Sequence, residues 1–167
     1  MPVRPHGRRE IRERVAMDVT ARLEDMASSL AGLENAIPDW VRDECEGAAD
    51  EIAQLNRDRL MSGKAPDGSA ITPFYTPYTL SYKRKRGGIT DRVTLYDYGE
   101  FHASLRIVFG GEEFRVESTD GDAEKVDYLL SHYLGEVLGF SQDDLEYISA
   151  FIVAEPVSKR LYDFVKQ

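Results

Sequence analysis

Residues 105–118, LRIVFGGEEFRVES, carry an alternation that suits a strand and not a helix. Leu105, Ile107 and Phe109 fall on one side of the chain across Arg106 and Val108. After Gly110-Gly111, Phe114 and Val116 alternate with Glu113, Arg115 and Glu117. Glycines take the positive φ angles of a tight connection at little cost, so the segment reads as an antiparallel β-hairpin. Upstream the period is different. Val19, Leu23, Met26, Leu30 and Leu33 recur at alternating spacings of four and three, one stripe of an amphipathic helix running from Arg8 to Leu33. Asn35 to Pro38 reads as a break, with Pro38 suited to the first turn of a second helix, Pro38 to Leu60. There Val41, Cys45, Ala48, Ile52 and Leu55 repeat the stripe until Gly63 offers a C-cap. The two stripes suit either an antiparallel helix pair or packing on a sheet. A chain that changes from helical to two-residue periodicity predicts an α+β fold. Its expected parts are two long N-terminal helices, an extended loop, a small antiparallel sheet or hairpin, and C-terminal helices.

Around the hairpin, Arg92 to Leu95 reads as a further short strand and Gly99 to Ser104 as a helical turn. Ala123 to Leu134 is expected to be a short helix, with Val126, Leu129, Leu130 and Tyr133 apolar. Ser141 with Asp144 forms an acidic variant of the capping box at the start of the last helical region. Pro156 should kink or divide that region before Leu161, Phe164 and Val165.

Between the helical and alternating parts lies a segment of unusual composition. It joins Phe74, Tyr75, Tyr78 and Tyr82 to a basic run, Lys83, Arg84, Lys85 and Arg86, closed by Gly87-Gly88. From Lys64 to Arg92 the formal charge is +4, whereas the whole chain carries −9, so the rest holds −13. By chemistry alone the cations suit any of three roles: phosphate contacts with tyrosines stacking on bases, a protein–protein contact anchored by the aromatics, or a solvated loop. Its length and prolines (Pro66, Pro73, Pro77) predict that residues 64–91 extend from the domain as an interaction loop.

At 167 residues the chain is expected to form a single domain, 1–167, with residues 1–7 as a flexible arm. No apolar run is long enough to span a bilayer, so no membrane contact is expected, and synthesis in cytosol-like conditions is. Cys45, the only cysteine, excludes an intramolecular disulfide and suits a buried thiol. His6, His102 and His132 have no partner at metal-ligand spacing. Asp120, Asp122 and Glu124 resemble part of a calcium loop, but Gly121 is misplaced and no glutamate falls at the twelfth position. No nucleophile elbow, phosphate loop or dinucleotide fingerprint occurs. No metal, cofactor or catalytic residue is therefore expected.

The order of motifs from Leu55 to Leu138 resembles the virion-morphogenesis, or neck and tail-completion, proteins of tailed bacteriophages. The resembling pieces are the loop at Asp67-Gly68, then Pro73, Tyr75 and Thr79, then the basic run with its glycines. After them comes TDRVTLYDYGEFHASLRI, where Leu95, Gly99, Phe101, Ser104 and Leu105 fit the signature L-x-D-x-G-x-[FL]-x-x-S-[IL]. HYLGEVLGFS at residues 132–141 completes the series. Tyr98 stands where a threonine often precedes the glycine, and the helical region up to Pro38 lies outside the resemblance. The resemblance implies a non-enzymatic subunit of a head–tail connector, tail-completion or tail-terminator-like. It would sit in the virion neck or tail as a six- or twelve-fold ring, with portal, adaptor and tail-tube proteins as neighbours. DNA would pass through the ring with at most weak non-specific contact. Gly99, Phe101 and Leu105 then form a structural turn, and Phe74, Tyr75, Tyr78, Tyr82 and Lys83 to Arg86 a partner interface. The alternative is a nucleic-acid-binding module that uses the same loop.

Overall fold

A computed structural model describes residues 6–111, 113–119, 123–133 and 136–166. The first five residues of the expected arm, and Asp120 to Asp122 of the acidic group, lie outside them; His6 and Gly7 are helical. The protein is α+β. Its elements are α1 (His6–Gly47), α2 (Ala49–Met61), α3 (Pro77–Lys85), α4 (Glu100–Ser104), β1 (Leu105–Gly110), β2 (Glu113–Ser118), α5 (Ala123–His132) and α6 (Gln142–Tyr147). A π-helical segment (Ile148–Ala154) and α7 (Glu155–Val165) follow. The chain divides into two units, Met1–Trp40 and Val41–Gln167, where length alone suggested one domain.

In the first unit, the break expected at Asn35 to Pro38 does not occur. Pro38 lies inside α1, where it forgoes the hydrogen bond to the Glu34 carbonyl. One turn earlier, the Asn35 side-chain amide donates to the Ala31 carbonyl at 3.0 Å. The helical path is interrupted instead at Ala48 (φ −102°, ψ 15°), in the second unit.

The second unit packs two cores against the hairpin. β1 and β2 pair antiparallel with Ile107 opposite Val116 and Phe109 opposite Phe114, so the alternating apolar set shares one face. One core joins Leu60, Ala65, Ile71, Val93, Leu95, Phe101, Leu105, Val116 and Val137. The other joins Cys45 and Ile52 to Ile148 and Ile152, with Phe109, Phe114 and Phe140 against it. Ile107 and Phe140 touch both. Each fully buried aliphatic side chain here, such as Ile52, Leu60 or Leu105, contributes roughly 1.5–3 kcal/mol. Burial, with Glu44 adding to it, pushes the Cys45 thiol up, as suits a packed, unreactive sulfur.

Arg59 ties α2 to the segment that leads into α6. Buried in α2, its guanidinium donates to the carbonyls of Lys64 (3.0 Å), Val137 (3.3 Å) and Gly139 (2.8 Å) and to Asn56 Oδ1 (2.8 Å). Asn56 Oδ1 also accepts from the Gly139 amide at 3.2 Å. Downstream, Ser141 and Asp144 make the reciprocal capping box at 3.1 and 2.9 Å. Pro156 lacks the N–H that would close an α-turn on the Ile152 carbonyl, and the helix widens into a π segment just before it.

Candidate partner-binding cleft

The segment from residue 64 to 91 is not an extended loop. Ala65 and Ile71 are buried in the core, and Thr76, Pro77 and the next eight residues build α3. The Thr76 hydroxyl accepts from the Thr79 amide at 3.2 Å, and Pro77 occupies the first helical turn where its missing N–H costs nothing. The glycines then stop the helix, Gly87 at φ 68°.

Arg92 to Leu95 does not pair as a strand either; among the described residues the sheet is β1 and β2 alone. Side chains take the place of a neighbouring strand. The Thr94 amide donates to the Tyr75 hydroxyl at 2.9 Å, and the Thr94 carbonyl accepts from Nε2 of the buried His102 at 2.7 Å. That bond requires the tautomer protonated at Nε2. Leu95 follows with φ 53°, a left-handed conformation unusual for a branched side chain. Gly99 (φ 89°) then starts α4, and Phe101 and Leu105 are buried one turn apart. The Arg57 guanidinium donates to the carbonyls of His102 and Leu105, both at 2.9 Å, and so completes the C-terminal end of α4.

These two segments enclose a cavity of about 260 Å³. Its walls are aromatic: Tyr75 and Tyr82 from the α3 side, Tyr96, Tyr98 and Phe101 from the turn, and Tyr133 from just past the end of α5. Charge is confined to Lys83, Lys125, Asp97 and Glu100, and Lys125 pairs with Glu100 at 3.1 Å. Burial pushes the Tyr133 phenol up to about 12, so it stays a neutral donor.

The basic run divides within this setting. Lys83 is buried, with 7% exposure; its ammonium donates to the Tyr96 carbonyl and sits 4.8 Å from the centre of the Tyr75 ring. Arg86 stacks 3.8 Å over the Tyr98 ring, donates to the Tyr82 hydroxyl and lies 3.5 Å from Asp97. Arg84 and Lys85 remain exposed. Among the named aromatics, Tyr75 is half-buried, Tyr82 meets the Tyr98 hydroxyl at 3.3 Å, and Phe74 and Tyr78 stand in solvent. Of the residues expected at an interface, Tyr75, Tyr82 and Lys83 line this cavity; Tyr96, Asp97, Tyr98, Glu100, Lys125 and Tyr133, which the sequence reading did not name for the interface, line it with them. Tyr96 and Tyr98 immediately precede the glycine that initiates the turn, which was the available signal; Lys125 gave none.

Among the described residues no cluster of His, Cys, Asp and Glu is arranged to hold a metal ion, and no helix is long and apolar enough to cross a membrane. Comparison with family models, with curated proteins and with solved structures returned no match.

Proposed function

We propose that the protein is a structural subunit of a bacteriophage head–tail connector, a ring through which DNA passes, and that the aromatic cleft receives a neighbouring protein. The observation that carries this reading is the large aromatic surface left in water around the cleft. Tyr78 is 81% exposed, Tyr98 65% and Phe74 50%. Tyr78 and Tyr82 lie four residues apart on α3, and Tyr82 meets Tyr98, so the surface is continuous. Aromatic residues grouped in this way are the usual anchors of a protein interface. The motif order of Leu55 to Leu138 supports the virion class, and the acidic balance of the chain suits a lumen along which a duplex slides without sticking.

The same geometry weighs against a phosphate-binding role for the basic run. Lys83 is spent inside the fold and Arg86 on its tyrosines and Asp97, which leaves Arg84 and Lys85 facing solvent. Two exposed lysine or arginine contacts give only weak, salt-sensitive attraction to a duplex.

Negative-stain microscopy and sedimentation of the purified full-length chain test the reading. Closed rings of uniform size are the expected result. Particles that stay monomeric at about 100 μM, where micromolar association is saturated, or nanomolar duplex binding at physiological salt, overturn it.

A further inference from the structure

Among the described residues around the cleft, Lys83 is the charge that the fold leaves without a counter-ion. Asp97 has Arg86 at 3.5 Å, and Glu100 has Lys125 at 3.1 Å. The Lys83 ammonium, in a residue only 7% exposed, meets the Tyr96 carbonyl and the Tyr75 ring but no carboxylate among the described residues. An ammonium carries three donors, and the carbonyl takes one of them. Charges held this deep are normally paired, because the attraction of a counter-ion is what offsets the lost hydration.

The cavity supplies room for such a counter-ion. Lys83 lines it together with Tyr133, a neutral phenol whose hydroxyl has no hydrogen-bond partner among the described residues. At about 260 Å³ it is smaller than the roughly 300–1,000 Å³ of sites that enclose a whole small molecule, so it suits one side chain whose backbone stays outside. The charge to be met is a single unit. Asp97 and Glu100 line the same cavity and would repel the second charge of a phosphate, whereas one carboxylate matches Lys83. The depth of Lys83 keeps it from a duplex lying on the surface, and among acidic side chains it favours the longer stem of glutamate. Tyr98 lines the cavity and is also 65% exposed, so an apolar residue beside that glutamate finds an aromatic surface to rest on.

We propose that the cleft takes up a glutamate side chain, flanked by an apolar residue, from a neighbouring protein, with the Lys83 ammonium as counter-ion to its carboxylate and the Tyr133 hydroxyl as a second donor. The proposal rests on the reading that this cleft receives a neighbouring protein, and it specifies what that protein presents.

The test uses the full-length protein, diluted to the monomer, and two capped dipeptides: acetyl-phenylalanyl-glutamyl amide and its neutral isostere acetyl-phenylalanyl-glutaminyl amide. Ligand-observed NMR titration measures both. The acid should bind with a Kd of about 1 mM and at least ~10-fold more tightly than the isostere, as a charge-assisted pair exceeds a neutral one. K83M should abolish that preference. Y133F removes a hydroxyl that supports nothing else among the described residues, so it tests the site even if K83M does not fold, and it should lower the preference about three-fold. Equal binding of acid and isostere overturns the carboxylate and leaves the cleft as a protein site. A preference unchanged in both variants, or phenyl phosphate binding more tightly than the acid, overturns it as well. No binding of either dipeptide by a chain that forms rings when concentrated overturns the proposal and leaves the ring reading standing. Preference for the acid in a chain that stays monomeric when concentrated upholds the site and overturns the ring.

Discussion

The hydroxyl of Tyr75 accepts a hydrogen bond from the backbone amide of Thr94 at 2.9 Å, across nineteen positions of sequence. This contact ties the segment before α3 to the segment before α4, and it does so at a buried amide with no strand beside it. Tyr75 is therefore an internal support of the cleft and not a side chain held out to a partner. Replacing it by phenylalanine keeps the ring and orphans the Thr94 amide. The expected loss is about 1–3 kcal/mol, the cost of leaving a buried donor unsatisfied. Urea denaturation measures it; a change under about 0.5 kcal/mol, the range of ordinary surface substitutions, would mean that water replaces the hydroxyl.

The four cations at residues 83–86 should separate by position. K83M removes a buried ammonium from the Tyr96 carbonyl and should cost about 1.5–3 kcal/mol, as for a hydrogen bond to a charged group. R84E with K85E, both exposed, should shift folding by no more than about 0.5 kcal/mol and act instead on assembly rate and salt dependence. Calorimetry and gel filtration of the two variants side by side check this. Equal destabilisation by both would show that the run behaves as one unit.

How much of this was legible beforehand follows from the range of each signal. The hairpin and the Ser141–Asp144 box were readable because their cues are adjacent in sequence: strict alternation in one, a serine three residues before an aspartate in the other. The start of α3 had an equally local cue, Thr76 before Pro77. It was masked by the prolines and charges around it, which read as loop. The false strand at Arg92 to Leu95 has a different origin. The backbone N–H and C=O of Thr94 are satisfied by Tyr75 and His102, and nothing in a linear pattern announces side chains arriving from elsewhere. Lys83 looked like its three neighbours in sequence. Only the Tyr96 carbonyl and the Tyr75 ring separate it from them.

Acid should weaken the fold through His102. Burial lowers its pKa from the ordinary 6.5; the charges of Arg57 and Lys83 act in the same direction, against the hydrogen bond to Thr94. The unfolded chain therefore binds this proton near pH 6.5 while the folded one does not. The stabilisation is complete above that pH and falls as pH drops toward the folded value, at most about 1.4 kcal/mol per pH unit. Gln in place of His102 keeps an N–H for the Thr94 carbonyl and does not titrate. Stability measured at about pH 7.5 and about pH 5.5, a span that brackets an ordinary histidine, should drop more for wild type than for H102Q. Parallel losses in the two proteins would assign the acid sensitivity to other groups.

Gly99 offers the sharpest test of the turn that floors the cleft. Its φ of 89° is strained for any residue with a Cβ, and an added Cβ would stand 2.9 Å from the Tyr96 hydroxyl and 3.0–3.1 Å from the ring carbons. Gly87 provides the comparison: its φ is 68°, and nothing lies within 4 Å of the equivalent Cβ. G87A should therefore register backbone strain alone, about 1 kcal/mol. G99A adds the displacement of the Tyr96 ring, which in turn moves the carbonyl that holds Lys83, and should cost about 2–3 kcal/mol in total. Because Tyr96 lines the cleft, G99A should also reduce assembly under conditions where the folded fraction is unchanged, whereas G87A should not. Denaturation curves combined with sedimentation separate the two effects. If the two alanine variants prove equally stable and assemble alike, the Tyr96 ring yields without consequence and the turn is not what shapes the cleft.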